Sequence, residues 1–246
     1  MTAEDVKKEI KKRGYWEVTF APRVFNDALI PDRATCKQLL QKNSVQLRGW
    51  DYPHIPQGNM DHQKIYFGAD HCEAFIDWGN HKEVLRYYQS GLFVHYVAVH
   101  EDWLKEDKLS EIVGGKDPYT NTQPGTVLSF VNTTYLLTEV YEFLRRLAAG
   151  SDVYESGVKV EIKLVGTQGR KLVSLAPDRI DLFGSYIANV PEIVVPSKEI
   201  TKEQLLDSSR ELALQTIKYI FETFNWENIP ISVIEKDQQN LLERRI

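Results

Sequence analysis

The feature that most constrains the fold is the stretch from residue 64 to residue 100. There, four runs rich in β-branched and aromatic residues follow one another with short polar breaks. The runs at 64–67, 73–78, 82–89 and 92–99 are strand-length and predict a meander of antiparallel strands. Ser90-Gly91 fits a two-residue hairpin turn, in which glycine supplies the positive φ of a primed turn. In that register cross-strand partners place Arg86 opposite His95, Leu85 opposite Tyr96 and His81 opposite His100.

Around the meander the pattern alternates between short helices and strands. Residues 5–12 read as a charged helix ended by Gly14, residues 15–20 as a strand closed by Pro22, and residues 32–42 as a helix started by Pro31 and Asp32. A short helix is predicted over 105–113. Breakers then crowd residues 114–125, the best linker candidate. A strand at 126–130 leads into a helix over 133–149 whose stripe is Leu136, Leu137, Val140, Phe143, Leu144 and Leu147. Two strands, 158–165 and 171–175, are expected to pair through Gly166 and Gly169. A helix over 202–224 follows, with Thr201 and Gln204 spaced as a capping box. A last strand at 231–234 precedes a polar tail. The expected architecture is α+β: an antiparallel-sheet lobe over 1–115, then a mixed strand–helix lobe over 125–246, the two abutting or forming one continuous domain.

The chain of 246 residues, 42% hydrophobic and 26% charged, is long enough to bury a core without disulfides or structural metal. Its two cysteines, Cys36 and Cys72, have no CxxC spacing and read as reduced thiols. The opening residues lack an apolar h-region and no run approaches membrane-spanning length, so a cytoplasmic protein is expected. A net charge of −5 argues against general nucleic-acid binding. The bases Lys7, Lys8, Lys11, Lys12 and Arg13 interleave with Glu4, Asp5 and Glu9, as on a solvated helix face.

No phosphate loop, dinucleotide fingerprint, nucleophile elbow or HExxH motif is present. Many enzymes lack a short motif, so three constellations merit attention. All six histidines lie between positions 54 and 100, among Asp61, Asp70, Glu73 and Asp77. In the two-residue hairpin register His81, Glu83 and His100 share one face, resembling a two-histidine, one-carboxylate metal triad. The competing reading has His81 and His100 capping strand ends, while His95 packs as a half-buried histidine on the other face. A divalent metal is the one cofactor these residues suggest. Next, Asp152, Glu161 and Lys163 follow the acid, then acid-x-lysine order of metal-dependent nucleases, although alternating Glu and Lys is also how a half-exposed strand reads. Finally, the loop Arg48-Gly-Trp50-Asp51-Tyr52-Pro-His54 combines bases with large aromatics and offers a ligand- or partner-binding surface. The alternative is that Trp50 and Tyr52 plug a sheet edge.

The segments Arg48-Gly-Trp-Asp-Tyr-Pro-His54 and Leu85-Arg-Tyr-Tyr-Gln-Ser-Gly-Leu-Phe-Val-His-Tyr96 resemble a group of poorly characterised prokaryotic proteins. Some of these carry a separate Schlafen-like DNA-binding domain, of which this chain shows no copy. The resemblance spans mainly residues 15–148. It implies a sensor or partner-binding module of a regulatory or anti-phage system, and it carries over no catalytic residues. With no enzyme fingerprint, the chain reads as a non-catalytic module whose partner is another protein. The alternative is a metal-dependent hydrolase or nuclease that uses the 54–100 histidines or Asp152, Glu161 and Lys163. A third class, an assembly subunit, rests on Leu241-Leu242 in the tail.

Overall fold

The computed structural model describes residues 1–105, 109, 123–175, 182 and 184–245. Helix α1 (Ala3–Ile10) starts at Thr2, whose side chain and that of Asp5 cap each other's backbone amides. Strand β1 (Tyr15–Pro22) follows, then α2 (Arg33–Asn43), begun by the Asp32 carboxylate on the Thr35 amide. The meander is present as β2 (Gln63–Phe67), β3 (His71–Trp78), β4 (His81–Tyr88) and β5 (Phe93–Ala98), each antiparallel to the next. A 3₁₀ turn (His100–Trp103) and β6 (Val127–Ser129) lead to α3 (Phe130–Gly150). The remainder is β7 (Val158–Val165), β8 (Lys171–Val173), β9 (Glu192–Val194), β10 (Lys198–Ile200), α4 (Lys202–Thr223) and α5 (Ile231–Leu242).

The fold is α+β. Eight strands form one sheet in the order β10-β7-β1-β5-β4-β3-β2, with β9 also beside β7. Because β7 pairs with β1 along its whole length, residues from both halves of the chain share this sheet. They also share the main core, in which Phe20, Phe93 and Leu85 cluster with Phe143, Ile162 and Ile217. The expected boundary near 114–125 therefore does not divide the sheet. That linker and the short helix expected over 105–113 lie almost wholly outside the described residues.

Strand alternation sets the two faces. Trp16, Val18 and Phe20 of β1 align across the ladder with Val97, His95 and Phe93 of β5 and with Leu164, Ile162 and Val160 of β7. This apolar face meets α3, where the Phe143 ring lies 5.3 Å from that of Phe93. Helices α4 and α5 pack on α3 in turn. On the opposite face, α1 lays Ala3, Val6 and Ile10 over Phe75, Val84 and Ala98. The Thr201–Gln204 capping box starts α4 as its spacing predicts.

Three local expectations are corrected. The β4–β5 hairpin closes with a three-residue loop: the Tyr88 amide donates to the Leu92 carbonyl (2.9 Å), and Gly91 has φ 79°. Glycine is thus required, but as the left-handed third residue of the loop rather than in a two-residue primed turn. The register shifts by one, so Leu85 faces His95 and Arg86 faces Val94. A one-residue slip exchanges the two faces, and only this register puts Leu85 and Tyr87 on the same side as Phe93 and Val97. His100 lies beyond β5 and does not pair with His81; Trp78 does. β8 does not pair with β7. Positive φ at Gly166 and Gly169 turns the chain away, and β8 runs parallel to β6. Finally, residues 231–234 begin a helix after Pro230. Ile234, Gln238 and Leu241 recur at helical spacing and are buried, which outweighs the β-branched character of the run.

Candidate functional site

Between the inner face of the sheet and the N-terminal half of α3 lies a cavity of 380 Å³. Its floor includes Trp16 of β1, His81 and Glu83 of β4 and Val97 of β5. α3 contributes Asn132, Thr133, Leu136 and Glu139, and Trp78, Asn80, His100, Glu101 and Leu128 complete that part of the lining. Arg48, Trp50, Asp51 and Tyr52 line it from one loop. Their loop is closed at its base by a two-way backbone pairing of Val45 with Tyr52 (2.7 and 2.9 Å).

Two buried carboxylates fasten this loop. Glu83, 3% exposed, accepts from Trp50 Nε1 (3.0 Å) and the His54 amide (3.4 Å), and it pairs with His81 and with His95 Nε2 (2.9 Å). Burial opposes its ionisation, but the charge and hydrogen bonds of His81 and His95 prevail and hold its carboxyl well below the usual range. Glu139, with a side chain 1% exposed, takes a two-pronged bond from Arg48, Nε at 3.0 Å and Nη2 at 2.8 Å. Here burial prevails: it pushes the carboxyl up to about 7, against the lowering effect of Arg48 and with further upward pushes from Glu83 and Asp51. The fork geometry is that of an ion pair, but near neutral pH the pair exists in both protonation states.

The aromatic rings are packed against one another. Trp50 stacks on His54 with centroids 4.4 Å apart, tilts over His81 at 3.7 Å and meets Trp78 edge-on at 5.0 Å. Tyr52 is buried and its hydroxyl is 3.2 Å from His95 Nδ1. Burial lowers the pKa of His54, whose Nδ1 has no hydrogen-bond partner. The indole Nε1 of Trp78 has none either. Glu101, also buried, accepts from the Ser129 amide (3.2 Å) and Asn132 Nδ2 (3.3 Å), so a carboxylate occupies the start of α3. Burial raises its pKa.

The structure brings Arg48, Trp50, Asp51, Tyr52, His81, Glu83 and His100 to this one cavity, with His54 stacked behind Trp50. Histidines 62 and 95 also adjoin it, through the Trp78 ring and Glu83 respectively, whereas His71 sits apart beside Asp70. His95 is fully buried on the cavity side of the sheet, not half-buried on the other. Among the described residues no three His, Cys, Asp or Glu side chains are grouped as a metal ion requires. The proposed triad of His81, Glu83 and His100 thus loses both its register and its geometry, since Glu83 spends its oxygens on protein donors. Asp152, Glu161 and Lys163 do not line the cavity. Glu161 pairs instead with Lys159 of its own strand at 2.7 Å.

Glu139, Trp16 and Trp78 were not singled out from the sequence. Glu139 carried a signal: it stands three residues after Leu136 and four before Phe143, an acid inside the buried stripe of a helix. Trp16 and Trp78 carried none beyond their aromatic character. No protein-family model, no curated protein and no solved structure matches the chain.

Proposed function

We propose that the protein is a non-catalytic sensor module that binds a small molecule in the cavity between the sheet and α3. The observation that carries this reading is the convergence of three of the chain's five tryptophans, Trp16, Trp50 and Trp78, on one 380 Å³ cavity. A concave space of that size, in which four large aromatic side chains stand among convergent charged and polar groups, has the character of ligand sites. The loop that lines it is bonded to both walls, so occupancy and loop position are coupled. In a regulatory system of the kind the sequence resemblance suggests, a protein partner would read that loop.

The test is a fragment screen read by tryptophan fluorescence on the full chain. Ligands that titrate the signal should lose their effect on Trp50→Ala while the melting curve stays cooperative. A screen in which no compound gives a saturable, Trp50-dependent change would overturn the proposal. A second reading, acid–base catalysis, is favoured by one observation: a firmly ionised Glu83 beside His81, and a Glu139 that titrates near 7, share the cavity. Conversion of a bound ligand, lost on His81→Gln with binding retained, would put that reading first.

A further inference from the structure

We propose that the occupant of the cavity is an organic cation, an amine or quaternary ammonium group held among tryptophan rings and carboxylates. This inference rests on the small-molecule reading above and specifies its ligand class.

The walls supply the first argument. Trp16, Trp50, Tyr52 and Trp78 all line the cavity, and the negative face of an aromatic ring attracts cations, indole most strongly. The charges supply the second. Four acids line the cavity, Asp51, Glu83, Glu101 and Glu139, against one guanidinium, Arg48, and two imidazoles, His81 and His100. With Glu139 ionised the acids exceed the bases by four to three even when both imidazoles are charged, and with Glu139 protonated the count is three to three. An anion would meet no net positive charge, with Arg48 already committed to Glu139.

The individual carboxylates differ in what they lack. Glu83 is served by four donors, and Glu101 by an amide and an asparagine. Glu139 has its Arg48 fork alone, and burial keeps its ionisation incomplete at neutral pH. A positive charge arriving in the cavity favours the ionised form and expels the proton. A neutral planar ligand would use the same rings without this coupling. Arg48 and Asp51 from the loop and Glu83 from β4 act on Glu139, and His81 of β4 with His100 and Glu101 of the 3₁₀ turn line the same cavity. Protonation of the two imidazoles would repel a cation too, so the pH effect has to be assigned by substitution at Glu139.

The experiment is calorimetric titration of the full chain with choline and with its neutral isostere 3,3-dimethylbutan-1-ol, at pH 6, 7 and 8. Choline should bind at least about tenfold more tightly than the isostere. Its affinity should rise with pH through 7 and level off above, approaching about a tenfold change per pH unit on the acid side. Glu139→Gln should weaken choline binding and flatten the pH dependence. Trp50→Phe, which keeps a ring, should weaken choline more than the isostere. Equal binding of the two probes, or a choline affinity independent of pH, overturns the cation assignment. Binding of neutral aromatic fragments with no binding of choline or tetramethylammonium also overturns it, but leaves the small-molecule reading standing. If nothing of either kind binds, both fall.

Discussion

Two arginine–carboxylate forks join distant segments of this molecule, and they have opposite characters. Asp102 and Arg170 are 0% and 2% exposed. Every polar atom there is engaged: Asp102 accepts from the Gly14 amide (2.8 Å), the Gly125 amide (3.0 Å) and Arg170, which also donates to the Val127 carbonyl (2.9 Å). This cluster ties the start of β1 to β6 and to the turn after β7. The Arg48–Glu139 fork is also two-pronged, but its arginine is 25% exposed and both partners face a cavity. One carboxylate is surrounded by donors from three chain segments, the other depends on a single side chain. Satisfaction, rather than burial, separates a structural ion pair from one available to a ligand.

The largest expected effect tests the closed cluster. Asp102→Ala leaves Arg170 charged and unpaired in the interior and should cost about 3–5 kcal/mol in chemical denaturation. A loss below about 1 kcal/mol would remove the contrast, because the cluster would then be no more demanding than a surface pair.

The second test addresses the open fork through pH. Folded Glu139 keeps its proton up to about 7, whereas an ordinary glutamate loses it near 4.5. Between those values the folded state binds more protons than the unfolded state, so stability falls as pH rises, by on the order of 3 kcal/mol across the window. Glu139→Gln should flatten this slope in denaturation curves collected from pH 4.5 to 8. Glu83 acts with the opposite sign and in a lower window. Its depressed pKa contributes stability above the ordinary glutamate value, which acid then removes. A slope over pH 4.5–7 that survives Glu139→Gln would assign it to other groups.

The smallest effects come from adding one methyl group to each region. A Cβ on Gly14 would lie 2.2 Å from Arg170 Nη2 and 2.8 Å from Asp102 Oδ2, whereas one on Gly49, in the loop that lines the cavity, meets nothing within 4 Å. Gly14→Ala should therefore cost about 1–3 kcal/mol by displacing the fork. Gly49→Ala should stay within about 0.5 kcal/mol. Equal effects would mean that the loop is packed as tightly as the cluster.

Much of the fold was legible because its signals are local. The meander strands, α3 and the capped start of α4 follow from periodicity and from residues a few positions apart, such as Thr201 and Gln204. The hairpin register was misread because Ser90-Gly91 fits two loop lengths, and the dipeptide was weighed above the inward set Leu85, Tyr87, Phe93 and Val97. The segment 231–234 was misread because four β-branched or apolar residues cannot distinguish a strand from a first helical turn. Of the site, the loop from Arg48 to His54 and the histidine cluster were visible as unusual composition. Their assembly was not, because Glu83 meets Trp50 across 33 positions and Glu139 meets Arg48 across 91.

The sequence by itself determined the α+β composition, the antiparallel meander and the chemical types concentrated between residues 48 and 100. Those properties rest on side-chain period, turn chemistry and capping, which operate within a few residues. Only the tertiary structure decided that β7 lies against β1, that α3 presents Glu139 to the loop, and that one carboxylate is saturated while another waits on a single arginine. Such outcomes depend on which distant segments exclude water from the same volume, and on how many donors each brings with it. That count has no representation along the chain.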